Sequence, residues 1–351
     1  MTDRLHPGAW WLWALALAAA ASHTTNPLLL GLIVAVAALM VAARRTAASW
    51  AVGFRWYLVI AAAVVLTRVL FRILTAGSGP TVVFTLPRIE LPAAAAGITL
   101  LGPVSAEALT AGFYDGLRLA TLIVCVGAAN ALANPKRLLA AVPAALYEAG
   151  TVLVVSVSVF PQLAESVIRV RRARALRGRP AGRRHVLRGI VVPVLTDALD
   201  RSLQLASSMD SRGYGRVTGT SKERRAQAML LLGGLVGIAV GCYALLDATS
   251  PGYLSASALV FGACLSFSGL RLAGRRVRRT RYRPETWGTA EWLLVTAGLV
   301  TAVAVFSGDI AGLYPSANPL GWPPLPLIPA VGVLIAGLPA WAPSRQRAVA
   351  R

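Results

Sequence analysis

Two arginines stand in similar short segments of this 351-residue chain: Arg177 in LRG (176–178) and Arg212 in SRG (211–213). A glycine just after a helix supplies the left-handed conformation that ends it, and an arginine in the last turn suits the negative end of the helix dipole. The structural interpretation is therefore two ordinary helix ends. The functional interpretation is that each guanidinium projects from a rigid helix tip and makes charge-assisted hydrogen bonds to a partner.

The other chemically capable residues give little support to catalysis or metal binding. The chain has no G-x-x-x-x-G-K-[ST] phosphate-binding loop, so we expect it not to hydrolyse ATP itself. Its cysteines lie inside apolar segments and its histidines are far apart in the chain: Cys125, Cys242, Cys264, His6, His23 and His185. Neither set has metal-ligand spacing. We therefore predict no catalytic residue, no metal site and no bound cofactor.

The closest acidic pair is Asp197 and Asp200, and it lies among arginines. A membrane enzyme that uses a metal to polarise a phosphate would need such carboxylates near a membrane face. Local ion pairing with Arg201 and Arg188 is the favoured interpretation.

Composition sets the environment in which these residues act. Hydrophobic residues make up 56% of the chain and charged residues only 14%, against roughly a quarter charged in soluble domains. The net charge is +21, and the basic residues cluster between apolar runs: 15 of the 35 Lys and Arg lie in 169–225 and seven more in 271–283. Basic clusters of this kind are typical of cytosolic loops of membrane proteins, so no nucleic-acid partner is predicted.

The apolar runs predict an all-α polytopic membrane protein with about eight transmembrane helices, since each is close to the roughly 20 residues that span a bilayer. The first run is interpreted as a retained span rather than a signal peptide. Loops without Lys or Arg are expected outside the cell, and basic loops in the cytosol. With eight spans, both termini are then cytosolic, and we expect the chain to lie in the inner (plasma) membrane. The predicted spans are 8–23, 27–43, 51–75, 105–130, 226–247, 253–272, 288–308 and 324–341.

One apolar segment, 138–160, has basic residues on both sides and so does not fit a single crossing. We expect it to lie along the cytosolic leaflet or to dip in and return, broken by Pro143 and Gly150. The chain then divides into an N-terminal membrane domain (1–130), a cytosolic or interfacial insert (131–225) and C-terminal membrane helices (226–351).

The insert contains two predicted amphipathic helices. The first begins after Pro161, and its apolar stripe runs from Leu163 to Leu176 at helical spacing. The second ends at Arg212, and its stripe runs from Leu199 to Met209. We expect the two stripes to pack on each other or to face a partner.

Together these residues resemble the transmembrane T component of energy-coupling factor transporters, the CbiQ-like family. VIRVRRARALRG and SSMDSRGY resemble the two coupling helices of that family, each ending in an X-Arg-X motif. ANPKRLLAAVP (133–143) resembles the lead-in to the insert, and LHPGAWWLWAL and TNPLLLGL resemble the first two helix starts. The resemblance covers about residues 5–250. Departures are Arg174 in place of Gln, Leu176 in place of Ala, and Ala9-Trp10 in place of Thr-Lys.

The resemblance implies a scaffold subunit of an importer for a vitamin or for cobalt or nickel. In the family, two cytosolic ABC ATPases dock on the coupling helices, and a membrane-embedded S component binds the substrate. It implies that this chain is not an enzyme, and that its partners are those proteins and the lipid bilayer. The residues that would contact the ATPases are Leu176, Arg177, Gly178, Ser211, Arg212 and Gly213.

Two other classes stay open on the sequence: a polytopic membrane enzyme and a stand-alone secondary transporter. A transporter tends to carry ionisable groups inside its spans, and this chain has such groups in its third and fourth spans, among them Arg68, Arg72, Asp115 and Arg118. We expect Asp115 to pair with Arg118 or with an arginine of the third span. Structural pairing is favoured over a transport site.

Overall fold

The chain forms twelve helices and four short strands within the residues that the computed structural model describes. The described residues are 5–44, 53–75, 79–90, 99–141, 147–176, 178, 183–213, 221–247, 251–274, 287–316 and 321–341. The helices are α1 Pro7–Ser22, α2 Pro27–Arg44, α3 Phe54–Leu74, α4 Ala106–Leu132, α5 Pro135–Ala140, α6 Tyr147–Leu176, α7 Arg183–Ser211, α8 Ser221–Leu246, α9 Gly252–Gly274, α10 Thr289–Phe306, α11 Ile310–Leu313 and α12 Leu327–Gly337. A 3-10 turn, Leu338–Ala340, extends α12.

The all-α membrane fold is confirmed, and a helix lies at each of the eight predicted spans. Seven helices are long and apolar enough to cross a membrane: α2, α3, α4, α6 over Gly150–Leu176, α8 over Arg225–Leu246, α9 and α10. Two further apolar helices, α1 with 16 residues and Leu327–Ala340, are shorter. The chain is a multi-pass membrane protein.

The prediction for α6 is wrong in one respect. The structure shows a single 30-residue helix that continues through Gly150 and Pro161, so the amphipathic helix does not begin after Pro161. Proline removes one backbone N–H donor from the helix. The helix continues because, in apolar surroundings, a non-helical segment would leave its other backbone N–H and C=O groups without hydrogen-bond partners. Helix α7 likewise contains Pro193. Pro143 lies outside the described residues.

The strands form two antiparallel pairs between α3 and α4. Strand β1 (Val82–Thr85) pairs with β4 (Pro103–Ser105), and β2 (Ile89–Glu90) pairs with β3 (Thr99–Leu100). Ser105 then caps α4, because its side chain accepts a hydrogen bond from the Ala108 backbone N–H. The described parts of the loop between α3 and α4 thus form antiparallel ribbons.

The described contacts divide the chain into two compact units, Met1–Leu138 with Pro284–Arg351, and Leu139–Arg283. The first unit holds the large core, in which the fully buried side chains come from helices at both ends of the sequence. Helices α10 and α12 pack on α1 and α2. The Trp13 indole Nε1–H donates to the Ala336 carbonyl at 3.1 Å, which ties α1 to α12.

A buried asparagine joins the two ends of the chain. Asn26 is fully buried, and its Nδ2 donates to the carbonyls of Gly312 at 2.8 Å and Pro324 at 2.7 Å. Its Oδ1 accepts from the backbone N–H of Leu28 at 3.0 Å and so caps α2. The C-terminal helices, whose role the sequence left open, are therefore part of the same core as α1 and α2.

An ion pair joins α3 to α4. Arg72 Nη2 lies 3.5 Å from the Asp115 carboxylate, which confirms the expected pairing with an arginine of the third span. Arg118 instead donates to the Ser22 carbonyl at the end of α1, where a cation suits the helix dipole. Gly116 allows α4 to approach α3 closely, since an added Cβ would lie 3.0 Å from the Cα of Val65.

The second unit contains α6 to α9. Helices α8 and α9 pack along much of their length, and glycines form their contact. A Cβ added at Gly237 would lie 2.8 Å from the Cα of Gly262, so only glycine permits this approach. Small residues at helix contacts are the usual means by which membrane helices pack closely.

Candidate functional site

The two segments that ended in Arg-Gly both form helix ends with a left-handed glycine. Gly178 has φ +62° and its N–H donates to the Ala175 carbonyl at 3.2 Å. Gly213 has φ +75° and its N–H donates to the Asp210 carbonyl at 2.8 Å. These are the hydrogen bonds of a glycine-terminated helix, so the predicted local structure is confirmed.

The residues at these ends are accessible to a partner. Leu176 is 90% exposed, and an atom added at Gly178 would meet no neighbour within 4 Å. Ser211 and Arg212 are also exposed, while Gly213 is partly buried. Arg177 lies outside the described residues. The side chain of Leu176 is therefore free of contacts within the described part of the fold that would keep a partner from reaching it.

The two helix ends lie at opposite ends of an antiparallel pair. Gln162 faces Arg201, Ser166 faces Asp197, and Arg174 lies over Gly189, so α6 and α7 run in opposite directions. Leu176 is therefore beside the first turns of α7, while the α7 end lies near the start of α6. At about 1.5 Å per residue, Gly178 and Gly213 are roughly 42 Å apart along the pair.

A cluster of polar side chains joins the two helices near their middles, and we call it the Asp197 clamp: Gln162, Ser166, Arg169, Asp197 and Arg201. The Asp197 carboxylate accepts hydrogen bonds from the Ser166 hydroxyl at 2.8 Å and from Arg201 Nε at 3.1 Å. Arg169 Nη2 lies 3.8 Å from the same carboxylate, and Arg201 Nη1 donates to Gln162 Oε1 at 3.4 Å.

These contacts define the electrostatics of the clamp. The hydrogen bonds from Ser166 and from Arg201 hold the pKa of Asp197 below its ordinary value, because both favour the charged carboxylate. The predicted ion pair with Arg201 is confirmed, whereas the side chain of Arg188 lies outside the described residues. Sequence analysis missed Ser166 and Arg169, because contacts between helices have no signature in the sequence of either helix.

The remaining ionisable residues form no cluster of candidate metal ligands in the described parts of the chain. No group of three or more His, Cys, Asp or Glu side chains lies close enough there to hold a metal ion. His6 Nδ1 accepts from the Gly8 N–H at 3.1 Å, and the His23 ring stacks on Phe306 with centroids 4.3 Å apart. Both histidines therefore have structural partners.

The departures from the expected pattern have structural counterparts. Ala9 and Trp10, which replace a polar pair, are both buried in the core of the first unit. Arg174 lies against α7 at Gly189, where an added Cβ would overlap its guanidinium. Ala9, Trp10 and Arg174 therefore pack within the fold, whereas Leu176, the remaining departure, is exposed.

Most of the sequence matches the model of a known protein family. Residues 1–223, nearly two thirds of the chain, match the family model CbiQ, described as a cobalt transport protein. The matched region includes α1 to α7 and both glycine-terminated helix ends. No curated protein matches the chain.

Proposed function

The chain belongs to the CbiQ family of cobalt transport proteins, and we propose that it is the membrane scaffold and energy-coupling subunit of an energy-coupling factor importer. In this role it transmits ATP-driven motion from a pair of cytosolic ABC ATPases to a separate membrane-embedded S component. The S component binds the cargo, for which we propose a transition-metal ion such as cobalt, in line with the family description, or alternatively a vitamin. A transporter component of this kind needs no catalytic residues of its own.

The observation that carries this proposal is the pair of exposed helix ends with left-handed glycines, Gly178 and Gly213. Two ends roughly 42 Å apart along a helix pair suit two separate binding grooves better than one. Each arginine would offer a planar fork of N–H donors to carboxylates or carbonyls of an ATPase, and each glycine would let the chain turn away without crowding the contact.

The proposed motion follows from this arrangement. When the ATPase pair closes on ATP, the two grooves move together and carry the α6 and α7 tips with them. The helices transmit that displacement through their rigid backbones to whatever their apolar side chains contact in the membrane. Exposed apolar residues such as Phe160 and Leu203, which are 74% and 68% exposed, would contact the S component or lipid.

We also propose the orientation and domain roles. The basic segments would lie on the cytosolic side of the inner membrane together with both termini, because positively charged loops stay inside. Residues 131–225 would form the coupling insert, 1–130 the N-terminal membrane domain and 226–351 the C-terminal membrane helices.

Charge reversal at both tips tests this function. The double variant Arg177→Glu and Arg212→Glu should abolish co-purification of the ATPases, because each glutamate would repel the acceptors that bind a guanidinium. Membrane insertion should stay unchanged. The matched control is Arg225→Glu with Arg271→Glu, which makes the same charge change at two exposed arginines of α8 and α9, away from the tips, and should retain the ATPases. Unchanged co-purification of the tip variant would refute the proposed contacts.

A further inference from the structure

The Asp197 clamp lies near the middle of both helices that carry the proposed ATPase contacts. Asp197 is at the centre of α7 (Arg183–Ser211), and Ser166 is a little beyond the centre of α6 (Tyr147–Leu176). Gly178 and Gly213 are then roughly 18 Å and 24 Å from the clamp, at about 1.5 Å per residue. The clamp therefore divides the pair into two arms of similar length.

The clamp fixes the helices to each other by directional contacts. Ser166 is only 2% exposed, so its hydroxyl has lost most of its access to water and donates to Asp197 Oδ2. A buried hydroxyl that lost this acceptor would keep the full cost of its desolvation. Arg201 contacts both Asp197 on its own helix and Gln162 on α6, so the ion pair within α7 also crosses to the other helix.

A groove of about 390 Å³ runs between the helices from the clamp toward the Gly213 end, and the clamp residues Gln162, Asp197 and Arg201 form part of its lining. Apolar side chains line much of it, including Val155, Val159, Leu163 and Leu205. Apolar contacts are non-directional and permit sliding, whereas hydrogen bonds fix one relative position. The clamp is thus the point about which the two arms are held.

We propose that the Asp197 clamp is the fulcrum of the coupling device: it fixes the crossing of α6 and α7, so that displacement of one tip moves the other tip. This inference rests on the proposed function. Asp197, Ser166 and Arg201 are positioning residues in it, since they act through the tips and touch neither ATP nor cargo. Without the clamp, the arms would slide along the groove and absorb the motion of the ATPases.

The variant Asp197→Asn tests the fulcrum in the complex reconstituted with its ATPases and S component. The amide has nearly the size of the carboxylate but lacks its charge and one acceptor oxygen. We expect ATPase association and ATP hydrolysis to remain within about twofold of wild type, while cargo transported per ATP falls about tenfold, the factor expected when charge-assisted hydrogen bonds are lost. The control Asp200→Asn removes an exposed carboxylate three residues along α7 and should leave the ratio unchanged.

A second measurement needs no partner. Spin labels at Ala175 and Ser208, both exposed and near the two tips, report the distance between the arms after the native cysteines Cys125, Cys242 and Cys264 are replaced. We expect a narrow distance distribution in the otherwise wild-type chain and in Asp200→Asn, and a broad one in Asp197→Asn. Ser166→Ala should broaden it as well.

The outcomes separate the two proposals. An unchanged distance distribution or an unchanged transport-to-hydrolysis ratio in Asp197→Asn would overturn the fulcrum. Loss of ATPase association in that variant would overturn it too, because Asp197 would then act in docking. If the wild-type chain binds no ATPase, the proposed function fails, and the distance measurement still decides whether the clamp holds the two arms.

Discussion

At the scale of single residues, the left-handed glycines determine where α6 and α7 end. Gly178 has no neighbour within 4 Å of an added Cβ, so a side chain there meets only the strain of its positive φ. That strain is about 1–2 kcal/mol for an L-amino acid. The glycine is therefore required by backbone conformation alone, and its replacement isolates the effect of helix-end geometry.

The substitution Gly178→Ala should weaken ATPase binding about fivefold, because roughly 1 kcal/mol of strain displaces the tip from its left-handed turn. The melting temperature should not change, since the end is outside any core. Titration of ATPase against the labelled chain in detergent measures the affinity. Thermal unfolding of the same variants measures the melting temperature. Gly31→Ala is the control: it also meets no neighbour within 4 Å but has an ordinary φ inside α2. Equal affinity in the two variants would contradict the role of the turn.

Residue chemistry could be predicted where it depends on near neighbours in sequence. The glycine ends followed from Arg-Gly after an amphipathic stripe, and the Asp197–Arg201 pair followed from i,i+4 spacing. Ser166 could not be found in this way, because its role depends on α7 lying against it. Asp115 was assigned correctly to a class of partner, while its pairing with Arg72 required the packing of α3 on α4.

At the scale of helices, close packing in the second unit depends on backbone contact between α8 and α9. Gly237 faces the backbone of Gly262, which cannot move aside as a flexible side chain could. By contrast, a Cβ at Gly233 would lie 3.7 Å from Leu265 Cδ1, an ordinary contact. Two glycines four residues apart on one helix thus differ sharply in their tolerance of a methyl group.

Gly237→Ala should destabilise the folded protein by about 1–3 kcal/mol, the usual cost of overpacking. Gly233→Ala should be neutral or slightly stabilising, because alanine is the better helix former. Thermal unfolding in detergent, followed by circular dichroism, compares the two variants. Equal melting temperatures would show that α8 and α9 do not depend on this contact.

Helices were predictable as far as apolar length determines them. Runs of about 20 apolar residues predicted a helix at each of eight positions, and six of those helices are long and apolar enough to cross a membrane. The seventh such helix, α6, was not among the predicted spans. The helix start expected after Pro161 was wrong. Proline removes only one hydrogen bond of the helix, and α6 continues on both sides of it. The strands between α3 and α4 had no comparable signal, since short ribbons depend on pairing between distant residues.

At the scale of the whole molecule, the first unit is assembled from both ends of the sequence. Asn26 supplies two hydrogen bonds to the segment after α10 and one to α2, all from a fully buried side chain. Removing it would leave the carbonyls of Gly312 and Pro324 without this donor. The sequence could not reveal this role, because the contacts join residues nearly three hundred positions apart.

Asn26→Ala should lower the free energy of unfolding by about 1–3 kcal/mol, because the carbonyls of Gly312 and Pro324 would lose a hydrogen-bond donor. The C-terminal helices should then be held less firmly. Limited proteolysis should then cut the segment between α10 and α12 faster than in wild type. Asn130→Ala is the control, since Asn130 donates to the Tyr57 hydroxyl at an exposed site and its loss should change little. Similar cleavage in all three proteins would exclude Asn26 as the attachment point.

The antiparallel arrangement of α6 and α7 has one further consequence. A dimer of identical ATPases has twofold symmetry, but the two tips that it would engage do not: Leu176 precedes the arginine at one tip, and Ser211 precedes it at the other. One ATPase copy would rest on an aliphatic side chain and the other on a hydroxyl. The membrane subunit would thereby make two chemically identical ATPases inequivalent, and give the motor a defined leading and trailing half.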